Sequence, residues 1–134
     1  MRRKLTSPER DALYLEDIVD STVLIETYLK GVKLPDFTAN TPLGNEKVDC
    51  VSRRLIIIGE AVKSLSEPTL RNLREDHPDI QWSDIAKLKD RLSHHYWTID
   101  LRQLWEIAKV HVPILKRAVE PVATAAQKQK REGK

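Results

Sequence analysis

The sequence predicts an all-α protein, an up-and-down bundle of four to five helices. Glycine occurs only four times, and long stretches are rich in Leu, Ile, Ala, Glu, Lys and Arg, which favour helix over sheet. Apolar residues recur at spacings of three and four, the period of an amphipathic helix. The length of 134 residues suits one domain with its own core. We expect a single helical domain over 1–120 and a basic, flexible tail over 121–134.

The first helix has a clear N-terminal signal. Thr6 is the predicted N-cap and Glu9 follows three residues later, which is the pattern of a capping box. Pro8 is compatible with the first turn, because its missing N–H would be unpaired there anyway. The apolar stripe ends near Gly31, a natural C-cap. We expect the next segment, 32–45, to be a loop because it contains two prolines and a glycine.

The second helix has the most regular apolar pattern. Its seam alternates steps of three and four residues and consists of Val48, Val51, Leu55, Ile58, Val62 and Leu65. Ile56 and Ile57 widen the apolar surface, which suggests burial against the domain and against a second subunit. Pro68 starts a short charged helix that ends at His77-Pro78.

The last two predicted helices flank the segment "YWTID". Ser83 is the expected N-cap of the first, whose inward residues are Ile85, Leu88 and Leu92. Asp100 is the expected N-cap of the second. Its buried stripe consists of Leu101, Leu104, Trp105, Ala108, Val112 and Leu115. Pro113 lies inside this pattern and predicts a kink or a restart of the helix.

Charge and composition limit the classes of function. The formal net charge is +3, and the last eight residues, with four basic groups and one acidic group, account for all of it. Any contact with RNA must therefore use a local basic site. The single cysteine excludes an internal disulfide and fits a reducing compartment. No apolar run approaches the length of a membrane span, so we expect a cytoplasmic, soluble protein.

The chemistry of the chain is concentrated in "KLKDRLSHHYWTID", residues 87–100. Adjacent histidines point about 100° apart on a helix, and no further ligand stands at a useful spacing, so we expect no metal and no cofactor. Acid–base chemistry beside a cation is the alternative, since histidine can exchange a proton near neutral pH. Arg91 and His94 share a helix face, whereas Lys89 and His94 diverge by about 140°. A solvated helix end and a catalytic site both remain open.

The same residues carry a resemblance to a known family. Two segments, 49–67 and 74–119, are similar to the HEPN toxins of bacterial and archaeal HEPN–MNT toxin–antitoxin modules, and the likeness covers roughly 8–120. The family's signature is an arginine, a polar residue, a histidine and a tyrosine two residues after it. His94, Tyr96 and Asp90 match three of these positions. Lys89 stands where the family has arginine, and Arg91 could substitute for it.

The resemblance implies a metal-independent endoribonuclease. The ribose 2′-hydroxyl would attack the adjacent phosphate and leave a 2′,3′-cyclic phosphate and a 5′-hydroxyl. His94 would be the general acid or base, Lys89 or Arg91 would stabilise the phosphorane, and Asp90 would orient its neighbours. It also implies a homodimer in which two signature helices form one cleft, and a transfer or messenger RNA substrate.

The family's partner is a small nucleotidyltransferase antitoxin, which transfers AMP from ATP to the motif tyrosine, here Tyr96. Two alternatives stay open: a catalytically inactive HEPN protein that binds RNA or the transferase, with Lys89 as the mark of lost turnover, and the substrate-recognition half of a transferase complex. We further expect Gly59 to permit close helix packing and Glu60 to act as a supporting acceptor or as a helix-face salt bridge. His95 and Trp97 are candidate RNA-binding residues.

Overall fold

The computed structural model describes residues 3–132, and every regular element in that range is helical. The long helices are α1 (Ser7–Leu29), α3 (Pro42–Ser64), α5 (Trp82–His94) and α7 (Val112–Glu132). The short helices are α2 (Leu34–Thr38), α4 (Glu67–Asp76) and α6 (Leu101–Glu106). A 3₁₀ turn (Tyr96–Thr98) joins α5 to α6, and a π-helical segment (Ile107–His111) joins α6 to α7. No helix in this range combines the length and apolarity needed to cross a membrane.

The hydrophobic core lies where the long helices meet. Helix α1 packs against α3 and α7, and α3 also packs against α5. Burial of one Val, Leu or Ile side chain stabilises a fold by about 1.5–3 kcal/mol. The core contains many of them, among them Leu15, Ile18, Ile25, Val51, Leu55, Ile58, Leu104 and Leu115. The predicted all-α bundle is confirmed.

Helix α1 begins and ends as the sequence predicts. The Thr6 hydroxyl accepts a hydrogen bond from the Glu9 N–H at 3.3 Å, and the Glu9 carboxylate accepts one from the Thr6 N–H at 3.3 Å. Arg3 also donates to Glu9, and these hydrogen bonds, with that of Arg3 the largest, lower the pKa of Glu9 to about 2. Gly31 has a φ of 76°, a conformation that glycine adopts without strain.

The loop expected over 32–45 is partly wrong, because α2 and the first turn of α3 lie within it. The Asp36 carboxylate accepts a hydrogen bond from the Lys33 N–H at 3.1 Å, which caps α2. Phe37 is buried, with its ring centroid 5.3 Å from that of Trp105. A single buried aromatic therefore anchors a helix too short for apolar periodicity to reveal.

Helix α4 is fixed to α1 by a buried carboxylate. Asp11 is 6% exposed and accepts hydrogen bonds from the Ser66 N–H at 2.9 Å, the Ser66 hydroxyl at 2.5 Å and the Thr69 hydroxyl at 2.6 Å. Ser66 is the N-cap residue of α4 but makes no capping hydrogen bond with its own side chain. A residue of α1 thus supplies the acceptor that this helix end requires.

The start of α5 differs slightly from the prediction. The helix begins at Trp82, with Gln81 rather than Ser83 in the N-cap position. The Trp82 indole is buried and donates a hydrogen bond to the His77 carbonyl at 3.2 Å. This contact with the end of α4 moves the start of α5 toward the N-terminus.

The C-terminal region departs from the expected boundary at residue 120. The π-helical segment directly precedes α7, which begins at Val112, so Pro113 lies in its first turn, where a missing N–H is tolerated. Helix α7 continues through Pro121 to Glu132. Gln127 donates a hydrogen bond to the Ala12 carbonyl at 3.0 Å. Residue 120 is thus not the end of the helix, and residues 133–134 lie outside the described part.

Candidate functional site

The candidate site lies at the C-terminal end of α5 and in the 3₁₀ turn that follows. Helix α5 includes His94 as its last residue, and the His95 N–H still donates to the Arg91 carbonyl at 2.7 Å. The Arg91 guanidinium donates to the Thr98 carbonyl at 3.1 Å, and the Thr98 hydroxyl donates to the His95 carbonyl at 2.7 Å. These bonds hold the backbone of the turn against the end of the helix.

One face of α5 presents an imidazole, two cations and a carboxylate to solvent. Asp90 and His94 are exposed and Arg91 is half-buried. His94 follows Asp90 by four residues and Arg91 by three, so its side chain lies on the same side of the helix as each of them. Lys87 is exposed and joins them, four residues before Arg91 and seven before His94. This face combines a group that can exchange a proton with groups that can attract a phosphate.

Lys89 points in another direction, toward α3. Its side chain is 13% exposed, and its ammonium lies 2.5 Å from the Glu60 carboxylate and 3.4 Å from the Asp90 carboxylate. The absence of a side chain at Gly59 makes this possible, since a Cβ there would overlap the Cβ of Lys89. The expectation that Gly59 permits close helix packing is confirmed, and the neighbour that it admits is Lys89.

The ion pair between Lys89 and Glu60 shifts the titration of both groups. The hydrogen bond and the charge of Lys89 lower the pKa of Glu60, while the hydrogen bond that Lys89 donates to Glu60 raises the pKa of Lys89 despite partial desolvation. Glu60 therefore forms a salt bridge, and the bridge links two helices rather than two turns of one helix. The ammonium of Lys89 is occupied by this bridge and by Asp90.

Three aromatic rings extend from the turn. Tyr96 is 70% exposed and Trp97 is 68% exposed, and His95 is exposed as well. The ring centroid of Trp97 lies 5.3 Å from that of Tyr96 and 5.5 Å from that of His95, both in edge-to-face geometry. By contrast, Trp82 is buried and Trp105 is half-buried against Phe37.

The structure thus brings together most, but not all, of the predicted site residues. Asp90, Arg91 and His94 share a face, and His95, Tyr96 and Trp97 follow directly in the turn. Lys89 and Glu60 lie at the contact with α3. Helix α5 continues through His94, so Lys89 and His94 of one chain point in different directions. A site that used both residues would need one of them from a second subunit. Within residues 3–132, no three His, Cys, Asp or Glu residues form a group that could hold a metal ion.

Two features of the site were not predicted from the sequence. Lys87 is one, although its spacing to Arg91 and His94 is a signal that could have found it. The other is an open groove of about 570 Å³ that runs beside α5. Its floor is formed by α3 and its far wall by α6, the π-helical segment and α7, and its apolar lining includes Ile85, Leu88, Ile99, Ile107 and Ile114. The groove depends on contacts between distant helices, which sequence spacing cannot show.

Comparison with known proteins gives a consistent family match. A family model described as "Ribonuclease HepT-like" matches residues 18–122. The "Probable ribonuclease HepT" of Thermococcus cleftensis is 36% identical over 108 residues, which cover 80% of this chain and 90% of that protein. A protein of Caldanaerobacter subterraneus subsp. tengcongensis, named "Putative RNase", is 33% identical over 109 residues, covering 81% of this chain and 90% of that protein.

A longer relative contains the same region beside other sequence. The "Gamma-glutamylcyclotransferase and putative RNase" of Methanocaldococcus jannaschii is 35% identical over 118 residues, which cover 88% of this chain but 50% of that protein. No solved structure matches the chain significantly.

Proposed function

This chain belongs to the HepT-like family, and we propose from that premise that it is a metal-independent endoribonuclease. The observation that carries the proposal is the grouping of exposed Lys87, Asp90 and His94 with half-buried Arg91 on one side of α5. A proton-exchanging imidazole beside cations is the minimal equipment for cleaving a phosphodiester without a metal.

In the proposed reaction, the 2′-oxygen of the ribose forms a bond to the adjacent phosphorus, and the bond from phosphorus to the 5′-oxygen breaks. The 2′-hydroxyl gives up a proton and the departing 5′-oxygen gains one, so the products are a 2′,3′-cyclic phosphate and a 5′-hydroxyl. His94 exchanges one of these protons as general base or general acid. The phosphorane gains negative charge, which a nearby cation stabilises.

Arg91 and Lys87 are the cations best placed to assist His94, because they share its face. Lys89 occupies the position of the family's arginine but is held by Glu60 and Asp90 on the side of α3. We assign Lys89 the role of fixing α5 to α3, with a share in phosphate binding only where a second chain completes the site. Asp90, which faces both Lys89 and solvent, orients these groups.

The catalytic assignment is tested with cellular RNA in the presence of EDTA. Wild type yields cyclic phosphate ends, and His94→Ala loses cleavage by at least about 100-fold, the lower range for a general acid or base. His77→Ala is the matched control, since it also removes an imidazole while the backbone carbonyl that binds Trp82 remains. Equal RNA profiles for wild type and His94→Ala would contradict the catalytic role.

The proposed enzyme is a homodimer, and the open groove beside α5 supports this. The occupant that we propose is a second copy of the chain. The groove is largely apolar and lies directly beside the helix that carries His94. Its lining includes Ile114, which is half-buried and is not part of the core cluster. A second chain seated there would bury apolar surface and add its own polar groups near the site.

Sedimentation equilibrium tests the dimer. Wild type is expected to be dimeric at micromolar concentration, and Ile114→Glu to be monomeric, because the carboxylate would be buried without a partner. Val23→Glu, on an exposed part of α1, is the matched control and should remain dimeric. A monomeric wild type, or a dimeric Ile114→Glu, would exclude the groove as the interface.

We further propose that the protein is the toxin of a toxin–antitoxin pair, acting on transfer or messenger RNA, and that a nucleotidyltransferase silences it. The Tyr96 oxygen would attack the α-phosphate of ATP, release pyrophosphate and lose its proton. Tyr96 is highly exposed and stands two residues after His94, so an AMP group there would bring a bulky anion to the site. It would exclude RNA phosphate by occupancy and by charge.

Mass spectrometry after incubation with the partner and ATP tests this modification. Wild type should gain AMP and lose cleavage, while Tyr96→Phe should gain none. Tyr28→Phe, a half-buried tyrosine of α1, is the matched control and should be modified like wild type. An unmodified Tyr96 in a pair that adenylylates another molecule would favour the substrate-recognition role.

A catalytically inactive protein that binds RNA is the second candidate. The observation in its favour is the engagement of Lys89, at the family's arginine position, in a salt bridge with Glu60. If a dimer that is well folded does not cleave RNA, Lys89→Arg is the variant that separates the two functions. Cleavage restored by arginine would show that the lysine abolished turnover, and continued inactivity with tight RNA binding would establish the binding role.

A further inference from the structure

The 3₁₀ turn at the end of α5 exposes aromatic side chains that take no part in the proposed cleavage chemistry. Trp97 and Tyr96 are the two most exposed of the large aromatic side chains, and neither is needed to move a proton or to stabilise a phosphorane. Solvating such rings costs free energy in the absence of a ligand. Exposed aromatic rings next to a candidate phosphate site suggest a role in holding the substrate.

The rings stand on a backbone that is already fixed. The 3₁₀ turn is closed by a hydrogen bond from the Thr98 N–H to the His95 carbonyl at 2.9 Å and by the Thr98 hydroxyl to the same carbonyl at 2.7 Å. Arg91 binds the Thr98 carbonyl and so ties the turn to α5. Trp97 also packs edge-to-face between Tyr96 and His95, which limits the rotation of each ring and reduces the entropy that binding would cost.

We propose that His95, Tyr96 and Trp97 form a stacking platform for unpaired RNA bases, with Trp97 as its main ring, and that this platform makes the protein selective for single-stranded RNA. The inference rests on the proposed ribonuclease function and adds its substrate class. Bases stack on aromatic side chains only when they are free of a duplex stack. A base paired inside a helix cannot reach the platform, so duplex RNA would gain nothing from it.

The charges near the platform favour RNA over an apolar protein surface as its ligand. Arg91 and His94 lie on the adjoining face of α5, with Lys87 further along it. Of the nearby carboxylates, Glu60 and the exposed Asp90 both lie against the Lys89 ammonium, and Asp100 accepts a hydrogen bond from the Arg102 N–H at 2.8 Å. A strand whose phosphates follow α5 would place its bases at the turn.

Fluorescence anisotropy with a labelled RNA tests the platform without any dependence on catalysis, because the His94→Ala background prevents cleavage under the proposed mechanism. The probes are one unstructured single strand and the same sequence in a duplex. In this background Trp97→Ala should weaken binding of the single strand by roughly tenfold, the usual effect of losing one stacked base, and Trp97→Phe by roughly threefold or less. Duplex affinity should not change.

Val23→Ala, which truncates an exposed apolar side chain on α1, is the matched control and should not alter binding of either probe. Equal single-strand affinity with and without Trp97 would overturn the proposal and would point to a protein partner for the aromatic surface. An equal loss for single strand and duplex would overturn the selectivity. Failure of the ribonuclease proposal would show in the cleavage assay instead, with the stacking result intact.

Discussion

Replacement of Asp11 should destabilise the fold more than any other single change of an acidic residue on α1. Asp11→Ala removes the acceptor of three hydrogen bonds from Ser66 and Thr69 and leaves the first turn of α4 without its cap. Hydrogen bonds to a charged acceptor contribute about 1.5–3 kcal/mol each and a helix cap about 0.5–2 kcal/mol. The bonds share one carboxylate, and Ser66 and Thr69 are only half-buried, so water recovers part of the loss. We expect Asp11→Ala to lower the free energy of unfolding by about 2–4 kcal/mol.

Urea denaturation followed by circular dichroism measures this loss. The midpoint should fall while the m-value stays constant, and Tm should drop by roughly 6–15 °C. Asp11→Asn keeps one acceptor oxygen and should lose about half as much. Asp17→Ala is the matched control, because Asp17 is exposed on the same helix and should change stability by at most about 0.5 kcal/mol. Equal stability of Asp11→Ala and Asp17→Ala would refute the structural role of the carboxylate.

Two further changes test the contact between α3 and α5. Gly59→Ala should destabilise the protein by about 1–3 kcal/mol in urea denaturation, since the added Cβ overlaps Lys89; an unchanged midpoint would contradict that packing. Lys89→Met should raise the pKa of Glu60 toward its ordinary 4.5, as measured by carboxyl NMR titration. Because Lys89 lowers the pKa of Glu60, the ion pair stabilises wild type above about pH 4.5, and this contribution is lost as the pH falls through the lowered pKa. A pKa of Glu60 that is the same in wild type and in Lys89→Met would exclude the salt bridge.

Short-range sequence patterns were sufficient to predict the helix ends that local contacts determine. The capping box of Thr6 and Glu9, the turn at Gly31 and the cap at Asp100 each depend on residues within three positions of one another. The buried face of α3 could be predicted in the same way, because its apolar residues recur at spacings of three and four. These features predict an all-α protein without any knowledge of which helices pack against each other.

The features that the sequence did not reveal depend on contacts between distant residues. Asp11 caps α4 across 55 positions, and Phe37 anchors α2 through Trp105. The direction of Lys89 follows from its register against Gly59, which spacing along α5 alone cannot define. The candidate site residues were predicted to lie in one segment of the chain, and that remains a prediction. The division of their cations between two faces depends on the packing of α3 on α5.

The proposed attack by the ribose 2′-hydroxyl is tested with one oligoribonucleotide and its copy with a single 2′-deoxy residue at the mapped cleavage position. Both are incubated with wild type and with His94→Ala in EDTA, and the product ends are analysed. We predict a 2′,3′-cyclic phosphate only from wild type with the all-ribose strand. Cleavage of the deoxy copy at that position, or cleavage by His94→Ala at the wild-type rate, would contradict it.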